Sequence, residues 1–118
     1  MTIQIFGFND CRDTRKAQRF FSERRIAVHY VNLDERPASK GELRRFADRY
    51  GAALIDKESA RYKALGLRVA LDSPARLFDR ALTEPRLLRT PLVRNGGKVT
   101  IGLAPADWQA WVDAEKNG

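Results

Sequence analysis

Thr2-Ile-Gln-Ile-Phe-Gly-Phe-Asn-Asp-Cys-Arg-Asp-Thr-Arg-Lys-Ala17 is the stretch whose reading decides the fold. Ile3 and Ile5 alternate with Gln4, and Phe6 and Phe8 continue the apolar run around Gly7, which is the two-residue period of a strand. Asn9-Asp10 breaks that pattern. From Arg12 the apolar residues fall at Ala17, Phe20 and Phe21, with Ile26 beyond, a spacing that gathers them on one face of a helix. Cys11, the single cysteine, therefore lies where a strand hands over to a helix. A helix start offers unpaired N–H groups and the positive end of the dipole, both of which favour an anion, and a thiolate is an anion. Asn9 or Asp10 is expected to cap the helix, with Asp13 in its first turn. Arg12, Arg15 and Lys16 crowd the same turn, and Arg15, four residues on, is placed over Cys11. Asp10 and Asp13 oppose these cations, so the sign of the net effect on the thiol stays open. Cys11 is the candidate nucleophile, and a small buried apolar residue is the competing account of it.

Outward from this stretch, Ala27-Val-His-Tyr-Val-Asn-Leu33 has the composition of a second strand, with Val28 and Tyr30 on one side and His29, Val31 and Leu33 on the other. Strand, helix, strand implies a parallel pair with a right-handed crossover. His29 is the only histidine, and nothing in the spacing brings it to Cys11; it is read as a paired or exposed strand residue. Asp34 to Ala38 is a turn, and Ser39-Lys-Gly-Glu42 is a capping box that opens a helix with Leu43, Phe46 and Tyr50 inward, stopped by Gly51. Ala52 to Lys57 reads as an apolar link, Ala60 to Leu65 as a brief helix closed by Gly66, and Ser73-Pro74 as the start of a helix ending near Pro85. Two short strands, Leu92 to Arg94 and Val99 to Ile101, flank Asn95-Gly96-Gly97, a hairpin signal. Ala104 to Val112 is a final helix in which Trp108, Trp111 and Val112 face the core or a partner. This order predicts an α/β protein with a thioredoxin/glutaredoxin-like fold and a helical insertion between the second and third strands. Strands are expected near residues 2–6, 27–33, 91–94 and 98–102 in one mixed sheet. The whole chain, 1–118, is read as a single domain, with 1–33 and 87–118 supplying the sheet core and 34–86 the insert.

Composition narrows the function classes. A chain of 118 residues with 43% hydrophobic and 31% charged residues fits one soluble globule. One cysteine excludes an intramolecular disulfide, and the scattered histidine and cysteine offer no metal site. The apolar runs fall short of a membrane span and no secretory signal opens the chain, so a cytoplasmic protein without membrane contact is expected. The formal charge is +7, part of it concentrated where Arg12, Arg15, Lys16, Arg19, Arg24 and Arg25 face only Asp13 and Glu23. Such a surface attracts anions of any kind, yet no nucleic-acid motif or basic tail accompanies it, and direct nucleic-acid binding is not expected.

Four motifs in order resemble the glutaredoxin-coupled arsenate reductase family and its Spx and Spx-like relatives. They are Ile5-Phe-Gly-Phe-Asn-Asp-Cys11 followed by Arg15-Lys16-Ala17, then Tyr62-Lys-Ala-Leu-Gly-Leu67, Glu84-Pro-Arg-Leu-Leu-Arg-Thr-Pro91, and Gly97-Lys-Val-Thr-Ile-Gly102. Together they span essentially the whole chain. The resemblance implies that Cys11 attacks an oxyanion or forms a mixed disulfide while arginines hold the anion. It implies no bound cofactor, with glutathione as thiol co-substrate, and as partners glutathione, a glutaredoxin- or thioredoxin-type protein, or RNA polymerase.

The departures bear on the activity. Where the reductases carry arginine before the tyrosine-containing helix, this chain has Asp56, with Lys57 beside it. Thr90-Pro91 stands for Arg-Pro, with Arg89 one place earlier, and Gly102-Leu-Ala-Pro105 stands for Gly-Arg-Pro. Thr90-Pro91 resembles the Thr-x-Pro of glutaredoxins, so a cis bond at Pro91 beside Cys11 is expected. The Spx regulators have a Cys-x-x-Cys switch; here Thr14 occupies the second position, and no internal redox switch remains. The expected site is Cys11, with Arg12, Thr14, Arg15 and Arg89 stabilising thiol or anion, and Asn9, Asp10, Thr90 and Pro91 forming the substrate-side loops. The leading function is a glutathione-linked thiol oxidoreductase. A non-catalytic Spx-like binding protein and an arsenate reductase with relocated arginines are the alternatives.

Overall fold

The computed structural model describes residues 1–117. Strand β1 (Thr2–Gly7) leads into helix α1 (Arg12–Glu23) and strand β2 (Ala27–Asn32). Helices α2 (Lys40–Tyr50), α3 (Ala60–Ala64), α4 (Leu67–Ala70) and α5 (Pro74–Thr83) follow, with tighter 3₁₀ turns at Gly51–Leu54 and Pro85–Leu87. Strands β3 (Leu92–Asn95) and β4 (Lys98–Ile101) form a hairpin, and α6 (Pro105–Asn117) closes the chain. The four strands lie in the order β2-β1-β3-β4. β1 pairs in parallel with β2, from Thr2 opposite Ala27 to Gly7 opposite Asn32, and antiparallel with β3, with Phe6 opposite Leu92. The parallel pair and the mixed sheet agree with the order of elements anticipated from the sequence, because a strand–helix–strand unit closes that way.

Period-two alternation gives the sheet two apolar faces. Ile3, Ile5 and Val93 pack with Ala17 and Phe21 of α1 and with Trp108, Trp111 and Val112 of α6. Phe6, Val31 and Leu92 pack under the insert with Leu43 and Phe46 of α2, Leu77 of α5 and Leu87. The insert is held in register by local capping. Ser39 Oγ accepts the Glu42 N–H while Glu42 returns a bond to the Ser39 N–H, and Ser59 and Ser73 cap α3 and α5 with their hydroxyls.

Two details differ from the sequence expectation. The hairpin loop is Gly96-Gly97 alone, since Asn95 pairs with Lys98 as part of the ladder, and Gly96 takes the positive φ (59°) at the first central position. The supposed link 52–57 contributes an isolated antiparallel bridge, Ile55 with Leu88, reinforced by Asp56 N–H to Leu87 O (2.8 Å) and Arg89 N–H to Leu54 O (2.9 Å). A single bridge is too short to leave a strand-like sequence pattern, yet it ties the insert to the segment that carries Thr90.

Gly7 is required by space. A Cβ there would come within 2.3 Å of Thr14 Oγ1 and 2.5 Å of Thr14 Cγ2. Gly7→Ala is therefore expected to cost about 1–3 kcal/mol through overpacking, and Thr14→Ala in the same chain should recover most of that loss. Urea denaturation of the single and double variants checks this, and a double variant no more stable than Gly7→Ala would refute it.

Candidate functional site

Cys11 sits at the N-cap position of α1 in extended conformation (φ −82°, ψ 117°), half-buried. This corrects the expectation that Asn9 or Asp10 caps the helix: no side chain caps it, because both neighbours are bonded elsewhere. Asn9 Oδ1 accepts the Tyr30 hydroxyl at 2.8 Å, and its carbonyl accepts Arg15 Nη1 at 2.9 Å. The Asp10 carboxylate is held by Arg86 Nη1 at 2.9 Å. The cysteine backbone is itself anchored, its N–H donating to Phe8 O (3.0 Å) and its carbonyl accepting the Arg15 N–H (3.1 Å).

The sulfur meets the segment before β3. Thr90 Oγ1 donates to Cys11 Sγ at 3.2 Å, and the thiol faces the Thr90 carbonyl at 3.9 Å. The Thr90–Pro91 bond is cis, as the glutaredoxin-like motif anticipates, and Pro91 is buried. This hydroxyl is the one side-chain donor to the sulfur among the described residues. Losing it in Thr90→Val should slow alkylation of Cys11 by iodoacetamide about fivefold to tenfold, the rate equivalent of one ordinary hydrogen bond. An unchanged rate would remove Thr90 from the site.

The structure places the remaining expected residues as follows. Arg12 is exposed and takes part in no hydrogen bond or ion pair among the described residues. Arg15 turns back to Asn9 O and so braces the loop. Arg89 directs Nε to Ala53 O (3.2 Å), its stem lying 3.8 Å from where a Cβ on Gly102 would be. Thr14 does not present its hydroxyl to the sulfur: it is fully buried, packed against Gly7, with Oγ1 lacking any partner. The third residue after the N-cap faces inward here because Gly7 leaves room for it. Asp56 accepts the Glu58 N–H at 3.0 Å and closes a turn ahead of α3. His29 is exposed on β2 opposite Gln4, as expected for a strand residue apart from the cysteine.

Two contributors were missed from the sequence. Tyr30 reaches the loop from β2, and burial first, then the nearby Cys11, Asp34, Glu35 and Asp10, push its hydroxyl above the ordinary tyrosine value, so it stays a donor to Asn9 through the neutral range. Arg86 reaches it from the 3₁₀ turn before β3. The strand alternation puts Tyr30 on the sheet face opposite Val31, but no local pattern identifies Arg86.

Among the described residues no helix is long and apolar enough to cross a membrane, and no group of three or more His, Cys, Asp or Glu side chains is placed to hold a metal. The sequence model of the ArsC family matches residues 6–111. An arsenate reductase of Neisseria meningitidis serogroup B is 33% identical over 106 residues, covering 85% of this chain and 89% of that protein. The global transcriptional regulator Spx 2 of Oceanobacillus iheyensis is 28% identical over 105 residues, covering 86% and 77% respectively. In three dimensions an arsenate reductase from Vibrio cholerae superposes with a TM-score of 0.80 at 24% identity, over 93% of this chain and 97% of that one.

Proposed function

Since the chain belongs to the ArsC family, we propose that it is a glutathione-linked thiol oxidoreductase in which Cys11 forms a mixed disulfide. The observation that carries this is the sulfur at the start of α1 receiving the Thr90 hydroxyl at 3.2 Å. In the step, the Cys11 thiolate attacks one sulfur of glutathione disulfide. A Cys11 Sγ–S bond forms, the glutathione disulfide bond breaks, and the departing glutathione leaves with the electron pair as thiolate. Cys11 is thereby oxidised and one glutathione reduced.

Resolution has to come from outside the chain, because there is no second cysteine. A second glutathione, or a glutaredoxin- or thioredoxin-type protein, supplies the attacking thiolate, which places the reaction in a thiol-rich compartment such as the cytoplasm. Exposed Arg12 and the basic face of α1 draw the anionic tripeptide to the site. Mass spectrometry after mild treatment with glutathione disulfide should show one glutathione adduct on the native protein and none on Cys11→Ser. No adduct on the native protein would overturn the proposal and favour the Spx-like binding function.

A further inference from the structure

Arg86 joins three segments that are remote in sequence. Its Nη1 contacts both oxygens of Asp10, at 2.9 and 3.1 Å, in the loop after β1. Nε and Nη2 hold the Asp34 carboxylate, after β2, at 3.2 and 2.5 Å. The guanidinium carbon lies 4.0 Å from the ring centroid of Phe8, which is buried, so the head group is fixed on a rigid floor by a cation–π contact. Arg86 itself issues from Pro85–Leu87, next to the Ile55–Leu88 bridge and four residues before Thr90.

Asp10 is the residue before Cys11, and Arg86 brings the Asp34 carboxylate against the same guanidinium that holds Asp10. The Asp10 and Asp34 side chains are 71% and 51% exposed, and ion pairs so exposed add little to stability. Asp10 nonetheless stands one residue from Cys11, where like charges repel.

We infer that Arg86 is a positioning residue whose charge cancels that of Asp10 and Asp34 beside Cys11, so that the sulfur can react as a thiolate. This deepens the proposed function and rests on Cys11 being the reactive group. It also gives Asp10 a counter-charge that arrives through tertiary structure and not from α1.

The test measures alkylation of Cys11 by iodoacetamide, which any accessible thiol undergoes with loss of iodide, so it does not require glutathione to be the true substrate. In Arg86→Ala the rate should fall on the order of fivefold at low salt. The deficit should shrink toward 1 M salt, where the screening length falls to about 3 Å. Arg86→Ala combined with Asp10→Asn should regain most of the rate, and Arg86→Lys should retain much of it. Asp10→Asn alone separates charge from mechanical support without removing Arg86: it should match or exceed the native rate if charge is what matters, and fall with Arg86→Ala if the bridge only tethers the loop. That fall, or a deficit in Arg86→Ala that neither salt nor Asp10→Asn relieves, would overturn the inference. A native protein that alkylates as described but takes no glutathione adduct would instead overturn only the proposed function.

Discussion

Trp108→Ala is expected to cost about 3–5 kcal/mol of folding stability, the largest single loss in this molecule and a substantial part of the roughly 5–15 kcal/mol available to a domain of this kind. Trp108 is fully buried, and its ring stands 5.5 Å from Phe20 and 5.6 Å from Phe21 between centroids, edge-on to the first and tilted to the second. It is the wedge by which α6 and α1 cover one face of the sheet. Its Nε1 also donates to Thr100 Oγ1 at 2.9 Å, and Thr100 is buried on β4. Truncation removes ring contacts and leaves that hydroxyl without its partner, so cavity and polar terms add. Trp108→Phe keeps most of the volume and should lose less, about 1–3 kcal/mol. Urea denaturation with an unchanged m value decides the matter. A loss under about 1 kcal/mol for Trp108→Ala would mean that α6 is dispensable to the core.

Purified protein given arsenate, glutathione and glutaredoxin is expected to reduce arsenate about a thousandfold more slowly than an enzyme with the full set of family arginines. An arsenate poised for attack by a thiolate brings a second negative charge beside the first. At about 4 Å and an effective dielectric near 20 the repulsion is roughly 4 kcal/mol, or about three powers of ten in rate, unless cations offset it. The resemblance places those cations on three segments where this chain has Asp56, Thr90 and Leu103-Ala104. The structure commits the arginines around the cysteine to other duties: Arg15 to Asn9 O, Arg89 to Ala53 O, and Arg86 to two carboxylates. Arg12 remains, and one cation from the nucleophile's own helix can attract an anion but cannot enclose it. A rate comparable with an authentic reductase, lost on Arg89→Ala, would show that Arg89 leaves Ala53 to bind the oxyanion.

The two outcomes concern different levels of the molecule. The first tests packing that any chain with this fold needs. The second tests a site whose position the fold provides and whose chemistry depends on a few side chains. A Thr90 hydroxyl stands where the resemblance implies a guanidinium, so this position offers a neutral donor in place of a cation.

What the sequence determined by itself is local. The two-residue period of Ile3 and Ile5, the helical spacing of Ala17 and Phe21, the Ser39–Glu42 box, Ser73-Pro74 and the glycine pair at 96–97 each act over a few residues, so they can be read before any contact is known. They were enough to set the order of elements, the parallel pair and the place of Cys11 at a helix start. Tertiary structure decided what surrounds the sulfur. The Thr90 hydroxyl comes from 79 residues away and the Arg86 guanidinium meets Asp10 across 76, and both depend on the antiparallel register of β1 with β3. The inward turn of Thr14 depends on the space at Gly7, and the diversion of Arg89 depends on the short Ile55–Leu88 bridge. Side-chain direction at such distances is fixed by the packing of whole elements, and single residues such as Arg86 carry no periodic signal of their role. The place of Cys11 at a helix start is therefore local information, and the side chains around its sulfur are assembled only in the folded chain.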